Sequence, residues 1–217
     1  DAGAALGDAD VVLKVQRPEG DELKPMKRGA VLIGILAPYA DKEQVKGYAE
    51  AGIDAFALEL VPRITRAQSM DVLSSQANLA GYRAVLDAAH EFGRAFPMMM
   101  TAAGTVPPAR VLVMGVGVAG LQAIATAKRR GAAGEATDTR PVVREQIESV
   151  GGKWVGVESG ESAQDAGGYA KELSKEFYEK QAQLIAERCA DNGVVISTAL
   201  IGGVMAPKLI TDDMVRK

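Results

Sequence analysis

An apolar run that leads into a glycine-spaced turn constrains this chain more than any other stretch. Residues 111–121 read VLVMGVGVAGL and place Gly115, Gly117 and Gly120 in the spacing G-x-G-x-x-G. In a strand–turn–helix unit the first glycine permits the tight turn, the second lets backbone approach a pyrophosphate, and the third lets helix and strand pack closely. The helix predicted over 121–130 would offer free N–H groups and a partial positive charge to the phosphates. The pattern therefore predicts a dinucleotide-binding turn.

A carboxylate in the expected place strengthens this interpretation. Asp138 follows a second short strand, predicted over 132–137, about where such folds carry the acid that binds the adenosine ribose. A carboxylate accepts hydrogen bonds from a free 2′-OH and repels a 2′-phosphate, so the sequence favours NAD(H) over NADP(H). We interpret Arg140, two residues further on, as a surface or local ion-pair residue rather than a phosphate ligand.

Composition excludes several classes of function. The net charge of −3 gives no reason to expect a nucleic-acid partner. The single cysteine, Cys189, rules out a disulfide framework and a cysteine-based metal cluster, and the single histidine, His90, rules out histidine metal sites and a Ser-His-Asp triad within this chain. We predict no metal site. The longest uncharged run, 192–207, is interrupted by polar residues, glycine and proline, and falls short of a membrane span.

Strands and helices alternate along the chain, which predicts an α/β fold with mainly parallel sheets. The first segment contains predicted strands over 10–15, 30–36 and 54–59, with a helix capped by Asp41 between the second and third. We predict a partial N-terminal, flavodoxin-like α/β domain over 1–75. A doubly wound, parallel-sheet (Rossmann) NAD(H)-binding domain is predicted over 76–217. It includes a linking helix over 76–96, and it is expected to be incomplete at its C-terminus.

Two stretches fit this outline less simply. The inner strand over 132–137 contains Gly134 and Glu135, which are poor choices for a strand buried on both faces. The loop over 61–75 follows a strand and is rich in hydrogen-bonding side chains, which would suit a ligand site, although the residue chemistry alone favours a solvated loop. Residues 102–110 are predicted to be a connector, and 156–170 a mobile surface loop.

Three longer segments carry a resemblance to a known family. They are PRITRAQSMDVLSSQ over 62–76, AFPMMMTAAGTVPPAR over 95–110 and GVGVAGLQAIATAK over 115–128. Together they resemble the NAD(H)-binding alpha component, domain I, of proton-translocating NAD(P) transhydrogenases, and the resemblance covers essentially the whole chain. The chain departs from the family at Gly134–Glu135 and at 201–205, where members usually read Ile-Pro-Gly-Lys/Arg.

The resemblance implies direct hydride transfer from NADH bound to this chain to NADP⁺ bound on a separate domain. The transfer would be coupled to proton movement through a membrane component, with this chain peripheral on the cytoplasmic or matrix face and typically a homodimer. It also implies a catalytic set in the 61–75 loop. Arg63, Asp71 and Ser74 would orient the nicotinamide carboxamide, and Gln68 would reach toward the partner nucleotide.

The predicted cofactor site combines the glycine turn, the ribose carboxylate and two other segments. The stretch around Tyr169 resembles a family loop that closes over bound nucleotide. The predicted cofactor-binding residues are Gly115, Val116, Gly117, Val118, Ala119, Gly120, Asp138, Thr139, Arg140, Tyr169, Thr198, Ala199 and Leu200.

Two alternatives stay open. Alanine dehydrogenase is related and shares the neighbourhood of Lys14, but it uses a histidine just after the next strand, where this chain has Leu36-Ala37-Pro38. Without that histidine, no obvious group would move the proton that amine oxidation releases. The third interpretation is a binding module that senses NAD(H) and transfers nothing.

Overall fold

The computed structural model describes the chain except for Arg63, Pro141, 158–173, 201–205, Pro207 and Lys217. The chain divides into two compact units, Asp1–Ser75 and Gln76–Lys217. Both units contain a parallel sheet with helices packed against it, which confirms the α/β fold class.

The first unit is built on a three-stranded parallel sheet in the order β1-β2-β3. Its helices and strands are α1 (Ala2–Gly7), β1 (Val11–Gln16), β2 (Val31–Ile35), α2 (Lys42–Ala51) and β3 (Asp54–Ala57). Helix α2 begins where the sequence predicts, because the Asp41 carboxylate accepts a hydrogen bond from the Gln44 N–H at 3.0 Å. It ends at Gly52, whose φ of 70° suits a left-handed cap.

The backbone turns sharply after β2, at Ala37. Among the residues that the structure describes, Ala37 alone has a positive φ without being glycine, at 50°. The Glu59 carboxylate holds this turn, because it accepts hydrogen bonds from the backbone N–H groups of Leu36 and Ala37. An L-residue pays a steric cost in this conformation.

We expect Ala37→Gly to stabilise the protein. Relief of the left-handed strain, about 1–2 kcal/mol, exceeds the roughly 0.5–1 kcal/mol that glycine adds to the entropy cost of folding. Ala55→Gly is the matched control, since Ala55 lies in ordinary strand backbone of β3. Urea unfolding should show a higher midpoint for Ala37→Gly and a lower one for Ala55→Gly. A lower midpoint for both variants would contradict the strain at Ala37.

The long helix α3 (Val72–Glu91) differs from the prediction at both ends. It begins at Val72, four positions before the predicted start at residue 76, because the Asp71 carboxylate accepts a hydrogen bond from the Ser74 N–H at 2.9 Å and so caps the helix. It ends before Gly93, whose φ is 68°. The predicted helical segment 92–96 is therefore non-helical.

A β-hairpin follows where the sequence predicts a connector. Strands β4 (Met99–Thr101) and β5 (Gly104–Val106) pair antiparallel, and the Thr101 hydroxyl donates to the Gly104 carbonyl across the turn at 3.1 Å. The connector prediction for 102–110 is wrong over the residues of β5.

The second unit contains a four-stranded sheet in which every pairing is parallel. Its helices and strands are β6 (Arg110–Met114), α4 (Val118–Arg129), β7 (Ala133–Thr137), α5 (Val143–Ser149), β8 (Lys153–Trp154), α6 (Lys175–Asp191), β9 (Val194–Ser197) and α7 (Asp212–Arg216). The strand order is β8-β7-β6-β9. This is the 3-2-1-4 order of the first strands of a doubly wound dinucleotide fold.

Successive residues of β6 point to opposite faces of this sheet, and helices cover both faces. Val111 and Val113 pack with residues of α3, α4 and α5, while Leu112 and Met114 pack with residues of α6 and α7. All four side chains are fully buried. Within the described residues of the chain, no helix has both the length and the hydropathy to cross a bilayer.

The unexpected Glu135 in the inner strand β7 has partners. Its side chain is almost fully buried, one carboxylate oxygen accepts a hydrogen bond from the Asn192 amide at 2.7 Å, and the other lies 4.0 Å from the Arg188 guanidinium. A buried charge is tolerated when it is paired and hydrogen-bonded. Asn192 and Arg188 come from the end of α6, far along the chain. The sequence of the strand alone therefore could not predict that Glu135 has these partners.

Candidate functional site

The glycine turn lies at the carboxyl end of β6, and two of its glycines are required by close packing. Gly115 has a φ of 88°, and a Cβ placed on it would come within 2.7 Å of the Ala199 nitrogen. A Cβ on Gly120 would come within 2.0 Å of the Gly115 carbonyl oxygen. These contacts match the roles expected of the first and third glycines.

Gly117 differs because it faces open space. A Cβ there would meet no atom of the described protein within 4 Å, and the φ of −86° is accessible to any residue. Gly117 is the N-cap of α4, and no described side chain caps this helix terminus. The first turn of α4 thus offers N–H groups to an anion, and the space in front of Gly117 lets the anion approach. The residues present therefore fit a dinucleotide pyrophosphate.

The end of β9 supports the turn from the other side. The Thr198 hydroxyl donates a hydrogen bond to the Gly115 carbonyl at 2.7 Å, and the Thr198 N–H donates to the Met114 carbonyl at 2.8 Å. The turn thus lies between β6 and β9, at the point where the strand order reverses and where open α/β sheets bind their ligands.

Helix α3 supplies a further support that the sequence analysis missed. A Cβ on Gly81 would come within 2.0 Å of the Ala119 carbonyl oxygen in the first turn of α4. The signal in the sequence is a glycine inside an otherwise helical pattern, which often has a packing reason.

Asp138 and Arg140 form a clamp on the glycine turn. The Asp138 carboxylate accepts hydrogen bonds from the Val116 N–H at 2.7 Å and from the Arg140 backbone N–H at 2.9 Å. The Arg140 guanidinium donates to both carboxylate oxygens at 3.0 Å and to the Val116 carbonyl at 3.1 Å. The interpretation of Arg140 as a local ion-pair residue is confirmed.

Hydrogen bonding keeps Asp138 ionised. Burial alone raises the pKa of Asp138, but the hydrogen bonds from Arg140 and Val116 outweigh it, so the pKa lies below the ordinary value of 3.8. The hydrogen bond to Asp138 in turn raises the pKa of Arg140.

We expect the stability contributed by Asp138 to depend on pH. Because its pKa is lower in the folded than in the unfolded state, the contribution is fully present above the unfolded value near 3.8 and is lost as pH falls through the folded value. The unfolding free energy of Asp138→Asn should therefore be lower than that of the wild type at pH 7, with a smaller difference at acidic pH. Urea unfolding of both proteins, repeated from pH 7 to acidic pH, measures this difference in unfolding free energy. A difference that stays constant with pH would contradict the assignment.

In the first unit, a small pocket contains three of the four predicted catalytic residues. The pocket of about 160 Å³ is lined by Val61, Pro62, Ile64, Ala67, Gln68, Asp71 and Ser74. The Ser74 hydroxyl donates to the Asp71 carboxylate at 2.7 Å, so Asp71 combines helix capping with a place in the pocket wall. The fourth predicted residue, Arg63, lies outside the described residues.

A second pocket of the first unit surrounds Lys14. It has a volume of about 480 Å³ and is lined by Lys14, Val15, Gln16, Arg17, Glu19 and Glu22. The Lys14 ammonium pairs with the Glu22 carboxylate at 2.5 Å. Lys14, whose neighbourhood the alanine dehydrogenase alternative shares, is therefore engaged in an ion pair.

The structure brings most of the predicted cofactor residues to one edge of the second sheet. The glycine turn, Asp138, Arg140 and Thr198 are joined by the contacts described above. Thr139 is half-buried beside them, and Leu200 is 81% exposed after β9. Tyr169 lies outside the described residues, as does the departure at 201–205. The cofactor roles of all these residues stay predictions.

A parallel sheet in this strand order, with a three-glycine turn at its switch point, is the architecture of a doubly wound dinucleotide-binding domain. The chain matches the alanine dehydrogenase/PNT N-terminal domain over residues 1–80 and the C-terminal domain over residues 84–217. It belongs to the alanine dehydrogenase/PNT family.

Within this family, the chain is more similar to transhydrogenase alpha subunits than to alanine dehydrogenases. It is 58% identical to an NAD(P) transhydrogenase alpha subunit of Rhodospirillum rubrum, over 100% of this chain and 58% of the relative. The alanine dehydrogenase of Halomonas elongata is 26% identical, over 99% of this chain and 53% of the relative. The chain thus spans little more than half the length of these relatives. The family resemblance inferred from the sequence is confirmed.

Solved structures agree with this relationship. The transhydrogenase of Sinorhizobium meliloti superposes with a TM-score of 0.87 at 54% identity, covering 98% of this chain and 57% of that one. An L-alanine dehydrogenase superposes with a TM-score of 0.73 at 21% identity, covering 99% of this chain and 54% of that one, which shows a shared fold.

Proposed function

We propose that this chain is the NAD(H)-binding component of a proton-translocating transhydrogenase. Bound NADH supplies a hydride to NADP⁺ held on a partner domain, and the transfer is coupled to proton translocation by a membrane domain of the same complex. The observation that carries the proposal is the glycine turn at the switch point, with its open face at Gly117 and the clamped Asp138 beside it. The choice of transhydrogenase rests on the 58% identity to the Rhodospirillum rubrum subunit.

The residues of this chain would bind and orient, without acid–base or covalent chemistry. The first turn of α4 would hold the pyrophosphate, and Asp138 would accept hydrogen bonds from the adenosine ribose. Arg63, Asp71 and Ser74 would orient the carboxamide, and Gln68 would reach toward the partner nucleotide. Holding two rings at reacting distance and excluding water is sufficient for hydride transfer, because the nicotinamide carries the chemistry.

An alanine dehydrogenase is the second candidate, and the neighbourhood of Lys14 is the observation in its favour. Two features count against it. Lys14 is paired with Glu22, and the turn after β2, where that enzyme uses histidine, contains Ala37 held by Glu59. The third candidate, a module that binds NAD(H) without transferring a hydride, differs from the first only in turnover.

Reconstitution distinguishes the three candidates. The protein is mixed with an NADP(H)-binding transhydrogenase domain, NADPH and an NAD⁺ analogue whose reduced form absorbs at a separate wavelength. The proposal predicts analogue reduction that requires both proteins. Nucleotide binding without turnover would favour the module. Reduction of NAD⁺ by L-alanine, without the partner domain, would favour the dehydrogenase.

The proposed assembly includes a homodimer peripheral to the membrane domain, and the hairpin β4–β5 is a surface that supports it. Met99, Met100 and Val106 are 47%, 78% and 42% exposed on this two-stranded hairpin, and Met98, just before it, is 57% exposed. Exposed apolar strands with open edges are prone to pair with another chain.

We expect Met100→Asp to shift the protein from dimer to monomer, because it puts a charge into the apolar surface of the hairpin. Light scattering at micromolar concentration measures the mass. Val215→Asp is the matched control, since Val215 in α7 is 75% exposed, and it should keep the dimer. A monomeric wild type, or a dimer that survives Met100→Asp, would contradict this surface.

A further inference from the structure

The Asp138 carboxylate binds the Arg140 guanidinium, which could otherwise bind a different anionic group. Both the Nε and Nη2 atoms of Arg140 donate to the Asp138 carboxylate, each at 3.0 Å. This side-by-side arrangement is the one that guanidinium groups use for carboxylates and for phosphates alike. The Arg140 side chain is 22% exposed and that of Asp138 only 7%, so the pair lies at the edge of the site rather than in bulk solvent.

A second anchor holds Arg140 in position independently of Asp138. Its Nη2 atom also donates to the Val116 carbonyl at 3.1 Å, and Val116 lies inside the glycine turn. If the carboxylate were removed, this hydrogen bond would still direct the guanidinium toward the turn. The donors that now face Asp138 would then be available at the place that the carboxylate had occupied.

NAD and NADP differ at the 2′ position of the adenosine ribose, and this arrangement bears on which of the two can bind. In dinucleotide folds the acid after the second strand binds the 2′-OH of NAD, whereas a nearby arginine accommodates the 2′-phosphate of NADP. Here both groups are present two positions apart, and the acid neutralises the arginine.

We propose that Arg140 is a latent 2′-phosphate ligand that Asp138 keeps occupied, so that the pair, rather than the acid alone, sets the preference for NAD(H). Asp138 would exclude a 2′-phosphate in two ways, by repelling its charge and by engaging the Arg140 guanidinium. This inference rests on the proposed NAD(H) site, and it concerns the chain's choice between nucleotides rather than hydride transfer.

Calorimetric titration with NADH and NADPH tests the inference on four proteins: the wild type, Asp138→Ala, Arg140→Ala and the double variant. We expect the wild type to bind NADH at least about tenfold more tightly than NADPH, a difference of about 1.4 kcal/mol. Asp138→Ala should bind NADPH at least about tenfold more tightly than the wild type does. The double variant should lose this gain. Arg140→Ala alone should gain no NADPH affinity, since the acid is still present.

A matched control separates a specific phosphate ligand from a change in net charge. Arg144 lies nearby in sequence on α5, 57% exposed and paired with Glu148. Adding Arg144→Ala to Asp138→Ala removes the same charge but should keep the NADPH gain. The gain should also weaken as salt is raised, since it depends on a charge–phosphate contact.

The outcomes are separable. Equal NADPH affinity in Asp138→Ala and the double variant would overturn the role of Arg140. A wild type that binds NADH but shows no NADPH gain in Asp138→Ala would overturn it too, while leaving the proposed NAD(H) site intact. A wild type that binds neither nucleotide would overturn both. If Asp138→Ala fails to fold, Asp138→Asn keeps the side-chain volume, and an unchanged ratio of NADPH to NADH affinity in that variant would overturn the inference.

Discussion

Gly120→Ala is expected to destabilise the second unit strongly, because it displaces α4 from the dinucleotide turn. The added Cβ would lie 2.0 Å from the Gly115 carbonyl oxygen and 3.1 Å from the Thr198 hydroxyl oxygen. The first contact is with backbone, which cannot rotate away, so α4 would have to move off the end of β6. A Cβ on Gly81 of α3 would come equally close to the Ala119 carbonyl oxygen in the first turn of α4, so packing against α3 also restricts that movement. Overpacking ordinarily costs about 1–3 kcal/mol, and we expect this site to lie at or above the upper end.

Urea unfolding monitored by circular dichroism measures this effect. Gly134→Ala is the matched control in the neighbouring strand β7, where the nearest atom to an added Cβ is the Ile124 Cγ2 atom at 4.0 Å. The control should stay within about 0.5 kcal/mol of the wild type. A Gly120→Ala protein that unfolds within about 1 kcal/mol of the wild type would show that the helix–strand contact is looser than described.

Gly117→Ala should have the opposite effect to Gly120→Ala: we expect the fold to stay intact and the binding of NADH to weaken. An added Cβ meets no described protein atom within 4 Å, and the φ of −86° suits alanine, so the free energy of unfolding should change by less than about 1 kcal/mol. The same Cβ would occupy the space through which backbone approaches a pyrophosphate. We expect NADH affinity to fall by about 100-fold, or about 2.7 kcal/mol.

Calorimetric titration with NADH tests this, with unfolding followed on the same preparations. Gly134→Ala again serves as the control and should bind NADH as the wild type does. If Gly117→Ala binds NADH normally, the pyrophosphate does not approach the turn at this glycine. Taken together, the two substitutions separate the glycine that the protein needs for packing from the one that the ligand needs for access.

The features that the sequence predicted best are those fixed by short-range geometry. Strand β6, the turn and α4 follow one another directly, and each glycine has a steric role that its spacing already indicates. Helix α2 was similarly predictable, because Asp41 and Gly52 mark its two ends by local hydrogen bonding and backbone conformation. The resemblance to the transhydrogenase family depended on the same contiguous segments.

The features that the sequence did not predict depend on partners far along the chain or on a residue with two roles. Glu135 is acceptable in β7 only because Asn192 and Arg188 return to it from α6. Asp71 was interpreted only as a ligand group in a loop, but it also caps α3, which moves the helix start to Val72. The hairpin β4–β5 consists of two three-residue strands, too short for a periodic pattern to reveal.

At Asp138, the spacing of residues in the sequence predicted where the acid lies but not all of the contacts that it makes. The position of the acid and a local ion-pair role for Arg140 were predictable, but the contacts of both residues with Val116 were not, since Val116 lies on a different segment of the site. These contacts explain why the carboxylate stays charged although it is buried.

The most direct test of the central claim follows the hydride itself. NADH carrying two deuterium atoms at C4 of the nicotinamide is incubated with the protein, an NADP(H)-binding transhydrogenase domain and NADP⁺ in ordinary water, and the NADPH formed is analysed by mass spectrometry. Direct transfer between the two nucleotides predicts NADPH that carries one deuterium per molecule. NADPH without deuterium, or no NADPH at all while NADH remains bound to the protein, would contradict the account.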